Sequence, residues 1–171
     1  MVTSWKKMYA AVKTALAVAL AVLTAGFGAE CWARQVTVGM DIAMSDVTDF
    51  YYTYSTSTNP PYYQRYRFYV DGQQRMFYHE TREGGGWPQT EKDITASGTM
   101  RLGDEEWSEF FECVKGGTVQ DRREHVEAGG AGPWLFLYWK GDRAKCQEFS
   151  FASPGARSAF EALCKRLKKT R

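Results

Sequence analysis

Histidine is nearly missing from this chain: His79 and His125 are the two in 171 residues. A hydrolytic Ser-His or Cys-His pair therefore has only those two imidazoles to draw on as its base. The four cysteines, Cys31, Cys113, Cys146 and Cys164, are widely spaced and form no CxxC, which removes the close ligand pairs of a structural zinc site and the motif of a thioredoxin-like centre. Gly84-Gly85-Gly86 is not followed by Lys-Ser or Lys-Thr and does not lead from a strand into a helix, so it fails as a phosphate cradle. Asp41, Asp46 and Asp49 lack the dense spacing of a calcium loop and read as part of a solvated linker. No cofactor and no metal is expected from these patterns.

A long uncharged run is missing as well. Lys6, Lys7 and Lys13 precede an apolar stretch from Thr14 to Ala29, shorter than the roughly 20 residues that span a bilayer. A positive start, a short apolar middle and small residues at Ala25, Gly26, Gly28 and Ala29 have the layout of a cleaved signal peptide over residues 1–29. Glu30 before Cys31 is a poor fit to a lipidation signal, so membrane association is expected only if the signal stays uncleaved or lipidated. Losing that segment removes three lysines and no acid, shifting the balance from 22 basic against 20 acidic residues to 19 against 20. Without a basic excess, nucleic acid is not an expected partner. The expected address is secreted or periplasmic, where the cysteines, all four of them disulfide candidates, would bridge.

What remains reads as a linker over 30–47 and one domain over 48–171, near the commonest domain size. Thr48 to Ser57 is aromatic and β-branched and stops at Asn59-Pro60-Pro61, a strand ended by a turn. Tyr62 to Val70 and Gln74 to Thr81 flank Asp71-Gly72, a hairpin signal. A two-residue loop there sets Phe68 opposite Arg75; a three-residue loop sets Phe68 opposite Met76 and Tyr66 opposite Tyr78, keeping one face apolar, and is preferred. The other face then carries Arg65, Arg67, Arg75 and His79 with Phe77 and Tyr69. Ile94 to Arg101 is a weaker strand.

The spacing of Trp107, Phe110, Phe111 and Val114 predicts a helix over 104–115, with acids in its first turn and Gly116-Gly117 as its stop. A short strand is expected near Val119, and a hairpin follows from Trp134 to Phe151. Ser153 caps and Pro154 opens a last helix whose buried face is Ala156, Ala159, Phe160, Leu163 and Leu167. Its basic end, Lys165 to Arg171, reads as a solvated tail. The expected architecture is α+β in two layers: an antiparallel sheet of five or six strands with both helices on one face.

This succession, from the exported N-terminus through the Tyr-rich hairpin to the Ser153-Pro154 helix, resembles a group of small secreted or lipid-anchored bacterial proteins of unknown function. The resemblance covers residues 47 to 168 as a pattern and implies a fold and an address, with no activity to carry onto particular residues.

The excess of tyrosine supplies the expected site. Alternation along consecutive strands makes some rings face away from the helices, and exposed Tyr beside Arg suits protein, peptide or glycan binding. The expected ligand-binding set is Tyr63, Arg65, Arg67, Tyr69, Phe77, His79 and Trp87, in a non-enzymatic module whose partner is an extracellular protein, a peptide or an envelope glycan. The competing expectation is a small hydrolase or thiol enzyme using His79 or His125 with a cysteine or carboxylate.

Overall fold

The computed structural model describes residues 35–55, 63–84, 89–121, 133–141 and 147–169. Along the chain these form β1 (Val36–Thr37), β2 (Val47–Ser55), β3 (Tyr63–Asp71), β4 (Gln74–Arg82), β5 (Ile94–Arg101), α1 (Asp104–Val114), β6 (Thr118–Asp121), β7 (Trp134–Trp139), β8 (Gln147–Ser150) and α2 (Pro154–Lys169). All strands join one antiparallel sheet in the order β1-β6-β8-β7-β2-β3-β4-β5.

The sheet has eight strands, not the five or six expected. Two of the strands are very short: β1, which was not expected, has two residues, and β6, the short strand expected near Val119, has four. Pieces of that length show no clear alternation of their own. They exist because Val36 pairs with Val119 and Thr37 with Thr118 across a long stretch of chain. The fold therefore starts well before Thr48, and the second half of the expected 30–47 linker belongs to the core. Val38, Ile42 and Val47 are at most 1% exposed, and Asp41, read as a linker acid, accepts a 2.7 Å hydrogen bond from the Thr37 N–H.

Both helices cover the same face, as their apolar stripes require. Phe50 and Phe68 lie directly opposite each other on β2 and β3, and directly paired residues share a face. Phe68 stacks on Phe110 of α1, with centroids 4.2 Å apart and planes 7° from parallel, and meets Phe160 of α2 at 5.7 Å. Phe50 touches the same two rings at 5.5 and 5.2 Å. These rings form the centre of the core.

The four predicted apolar residues of α1 are all buried, and Gly116 ends it at φ +76°. The Ser153 cap forms, its Oγ accepting from the Ala156 N–H at 3.1 Å. On α2, Phe160, Leu163 and Leu167 are buried as expected, but Cys164 takes the place of Ala159, which is exposed. The basic end is less free than expected: Arg166 pairs with Glu109 of α1, and Lys168 Nζ donates to Thr81 Oγ1 at 2.9 Å.

The hairpin register corrects the sequence reading. Asp71 pairs with Gln74, so the loop is the two residues Gly72-Gln73, neither the preferred three-residue loop nor Asp71-Gly72. Gly72, at φ +60°, takes the first central position, the place where a type II′ turn needs positive φ. Phe68 consequently faces Phe77 and Tyr66 faces His79. Both pairs lie on the helix side, so Phe77 and His79 are buried at 0% and 8% exposure.

Candidate functional site

The face of the sheet turned away from the helices follows from the same parity. It carries Asp49, Tyr51 and Thr53 of β2, Arg65, Arg67 and Tyr69 of β3, Tyr78, Glu80 and Arg82 of β4, and Phe136 and Tyr138 of β7. Tyr63, at the start of β3, joins them opposite Arg82. Phe136 is 9% exposed yet lies outside the cluster of the main core. It is an apolar residue buried on the open side.

Arg67 organises the middle of this face. Its Nε donates to Asp49 Oδ1 at 3.0 Å, and its Nη2 donates to Oδ2 of the same carboxylate. The guanidinium also lies 4.7 Å from the Tyr51 ring and 4.4 Å from the Tyr69 ring, a cation bracketed by two π faces. The hydrogen bonds to Asp49 raise the Arg67 pKa further, against the effect of burial. Arg82 repeats the arrangement at the rim, 4.6 Å from the Tyr63 ring and paired with Glu80. Glu80 is 3% exposed. Burial pushes its carboxyl up, but the Tyr78 hydroxyl, donating at 2.6 Å, and the Arg82 guanidinium outweigh that and hold it below its ordinary value. In return, burial and Glu80 push the Tyr78 hydroxyl up to about 12.

Arg65 differs from both. It stands 5.5 Å from the Tyr63 ring, and among the described residues its Nε is buried without a hydrogen-bond partner. It lines a groove of about 470 Å³ with Thr48, Asp49, Tyr51, Thr53, Phe136 and Tyr138. Tyr51 and Tyr138 meet edge to face there, 6.3 Å apart at 90°. Burial, then the Asp49 carboxylate, raise the Tyr51 hydroxyl, with Arg67 opposing; the groove thus presents the neutral Tyr51 phenol beside the Arg65 cation. Its size lies within the range of small-ligand pockets, about 300–1,000 Å³.

Of the expected binding residues, Tyr63, Arg65, Arg67 and Tyr69 are brought together on this face. Phe77 and His79 are not: the register places them on the helix side. Trp87 lies outside the described residues, as do His125, Cys31 and Cys146. The expected set did not contain Asp49, Tyr51, Thr53, Phe136 or Tyr138. The signal for Tyr51 was parity along β2, where Phe50 and Tyr52 belong to the core and Tyr51 must point the other way. Nothing in the apolar run Trp134–Trp139 distinguishes its two faces.

The disulfide expectation is also corrected. Cys113 and Cys164 are free thiols, buried on the two helices that pack together. Burial raises both pKa values, that of Cys164 well above the ordinary value. They pack as small apolar groups.

A second polar cluster lies on the helix side. The Tyr52 hydroxyl donates to Glu161 Oε1 at 2.6 Å and accepts from Arg157 Nη2 at 3.3 Å, while Arg157 Nε holds the same carboxylate oxygen at 3.0 Å. With Tyr66, Gln64 and Lys165 these side chains line a cavity of about 280 Å³. Burial, then the bond to Glu161, push the Tyr52 hydroxyl up. Within this triad the Arg157 guanidinium and the Glu161 carboxylate are paired with each other.

Among the described residues no group of three His, Cys, Asp or Glu side chains could hold a metal, and no helix is long and apolar enough to cross a membrane. No known protein family, curated protein or solved structure matches this chain.

Proposed function

We propose that the protein is exported, loses residues 1–29 as a signal peptide, and acts as a non-enzymatic binding module whose ligand seats on the open, tyrosine-rich face of the sheet. The observation that carries this reading is the groove between β2, β3 and β7, walled by Tyr51, Tyr138 and Phe136. Its walls are held in place before any ligand arrives, because the Asp49–Arg67 pair locks Tyr51 and Tyr69 on either side of one guanidinium. Rings fixed in this way give contact area with little ordering cost on binding.

The thiol-enzyme reading draws less support. A reactive cysteine needs an exposed position and a lowered pKa, and the two described thiols have the opposite of both. His79 sits among core rings, 6.1 Å from Phe77.

The test is a titration of the full chain with a panel of short soluble oligosaccharides and peptides, followed by backbone amide chemical shifts. The expected result is a set of shifts centred on Tyr51, Thr53, Arg65 and Tyr138 that Tyr138→Ala abolishes. Turnover of any panel member, or shifts centred elsewhere, would replace this reading.

A further inference from the structure

Resting on that reading, we propose that the groove takes a small ligand bearing a single carboxylate, with Arg65 as its anchor. Arg65, Arg67 and Arg82 stand on the open face, and the other two are matched: Arg67 by Asp49 and Arg82 by Glu80. Glu80 lies directly across from Arg65 on β4 and feels its charge. Both of its oxygens are nevertheless engaged, Oε2 by the Tyr78 hydroxyl and Oε1 by Arg82 Nε. Among the described residues Arg65 therefore forms no ion pair, and its buried Nε has no acceptor.

A buried donor without an acceptor costs free energy that a ligand oxygen can return. The guanidinium fork matches a carboxylate in two parallel bonds. The charge count among the described residues favours a monoanion: a dianionic phosphate would meet one cation that has no ion-pair partner there, beside the Asp49 and Glu80 carboxylates, which repel it. Thr48 and Thr53 border the same groove and offer hydroxyls that can donate or accept. Tyr51 and Tyr138 give the flat apolar surface against which the rest of the ligand lies. A uronate sugar and the C-terminus of a short peptide share this chemistry.

The experiment uses the full chain and two matched pairs of probes: glucuronate with glucuronamide, and N-acetyl-dialanine with its C-terminal amide. Inorganic phosphate is a fifth probe. Amide shifts of Tyr51, Thr53, Arg65 and Tyr138 give the affinities. Within at least one pair the carboxylate binds on the order of tenfold more tightly than the amide, as a charge-assisted bond requires. The pair that shows this identifies the source as saccharide or peptide. Arg65→Gln removes the difference, and Arg65→Lys, which keeps the charge but not the fork, restores part of it. Equal binding of carboxylate and amide in the groove overturns the anchor while leaving the binding face intact, and so does tighter binding of phosphate. Absence of shifts at these residues with every probe overturns both. The comparison of probes on the unaltered protein decides the matter even if Arg65→Gln does not fold.

Discussion

Replacing Phe77 by alanine should destabilise the domain far more than replacing Tyr69, although both are aromatic residues on the central hairpin. Phe77 is fully buried. Its ring meets Phe68 at 4.9 Å and Tyr66 at 6.0 Å. Removing it loses the transfer free energy of the ring, the contacts to both neighbours and the packing around the resulting cavity, together about 3–5 kcal/mol. Tyr69 is half-buried on the other face and contributes its place under Arg67. A partly exposed cation–π contact is worth about 0.5–1 kcal/mol, so with some lost burial Tyr69→Ala should cost about 1–1.5 kcal/mol. Equilibrium urea unfolding, followed by far-ultraviolet circular dichroism and tryptophan fluorescence, measures both. A gap of about 2 kcal/mol or more is expected between the two variants. Equal costs, or a larger cost for Tyr69→Ala, would refute the Gly72-Gln73 register and with it the composition of the open face.

Other consequences can be measured on the same protein. A double-mutant cycle of Asp49→Asn and Arg67→Met should give a coupling of about 1 kcal/mol, because the pair is bidentate but partly solvated; a coupling near zero would mean that the pair does not hold the groove. Glu80 has a lowered folded-state pKa, so its contribution is present above its unfolded value of about 4.3 and is lost as pH falls through the folded value. Glu80→Gln should accordingly flatten the acid limb of stability against pH below about pH 5 and leave the tyrosinate titration of Tyr78 shifted downward; an unchanged acid limb contradicts the assignment. Cys113 and Cys164 should resist alkylation in the native protein and react once it is unfolded, which intact mass will show; fast native labelling of Cys164 would contradict its burial. A Cβ added at Gly117 would stand 2.4 Å from the Phe149 ring and 2.7 Å from the Ser150 carbonyl oxygen, so Gly117→Ala should cost about 1–3 kcal/mol through overpacking, and a neutral result in urea would show that β6 can shift.

Much of this architecture was visible in the amino-acid pattern, and the failures share a cause. The helices announced themselves because Trp107, Phe110, Phe111 and Val114, or Phe160, Leu163 and Leu167, repeat at helical spacing with caps at their ends. Strands β2, β3, β4, β5 and β7 could be found from composition and turn residues. β1 and most of the expected linker's true role could not, since Val36, Val38 and Ile42 gain meaning only from partners such as Val119 and Gly117, some eighty residues away. The register failed because a three-residue loop was preferred for setting Met76 and Tyr78 opposite Phe68 and Tyr66, whereas the loop has two residues, Gly72-Gln73, with Asp71 the last paired residue. That single step moved Phe77 and His79 across the sheet and removed them from the site. Tyr63, Arg65, Arg67 and Tyr69 survived because they lie on β3, whose own alternation does not depend on the loop. The groove itself was invisible because one side of its wall, Phe136 and Tyr138, comes from a strand that is far away in sequence.

That seam has a thermodynamic consequence. β2 to β5 form a meander whose neighbours in space are neighbours along the chain, whereas β7 reaches β2 only after most of the molecule has been closed into a long loop. The groove straddles this join, so a chain with only its meander in place has no such groove. Any occupant binds the completed sheet alone and raises its apparent stability by RT ln(1 + [L]/Kd). Occupancy would therefore be legible as resistance to unfolding even when the ligand has no signal of its own.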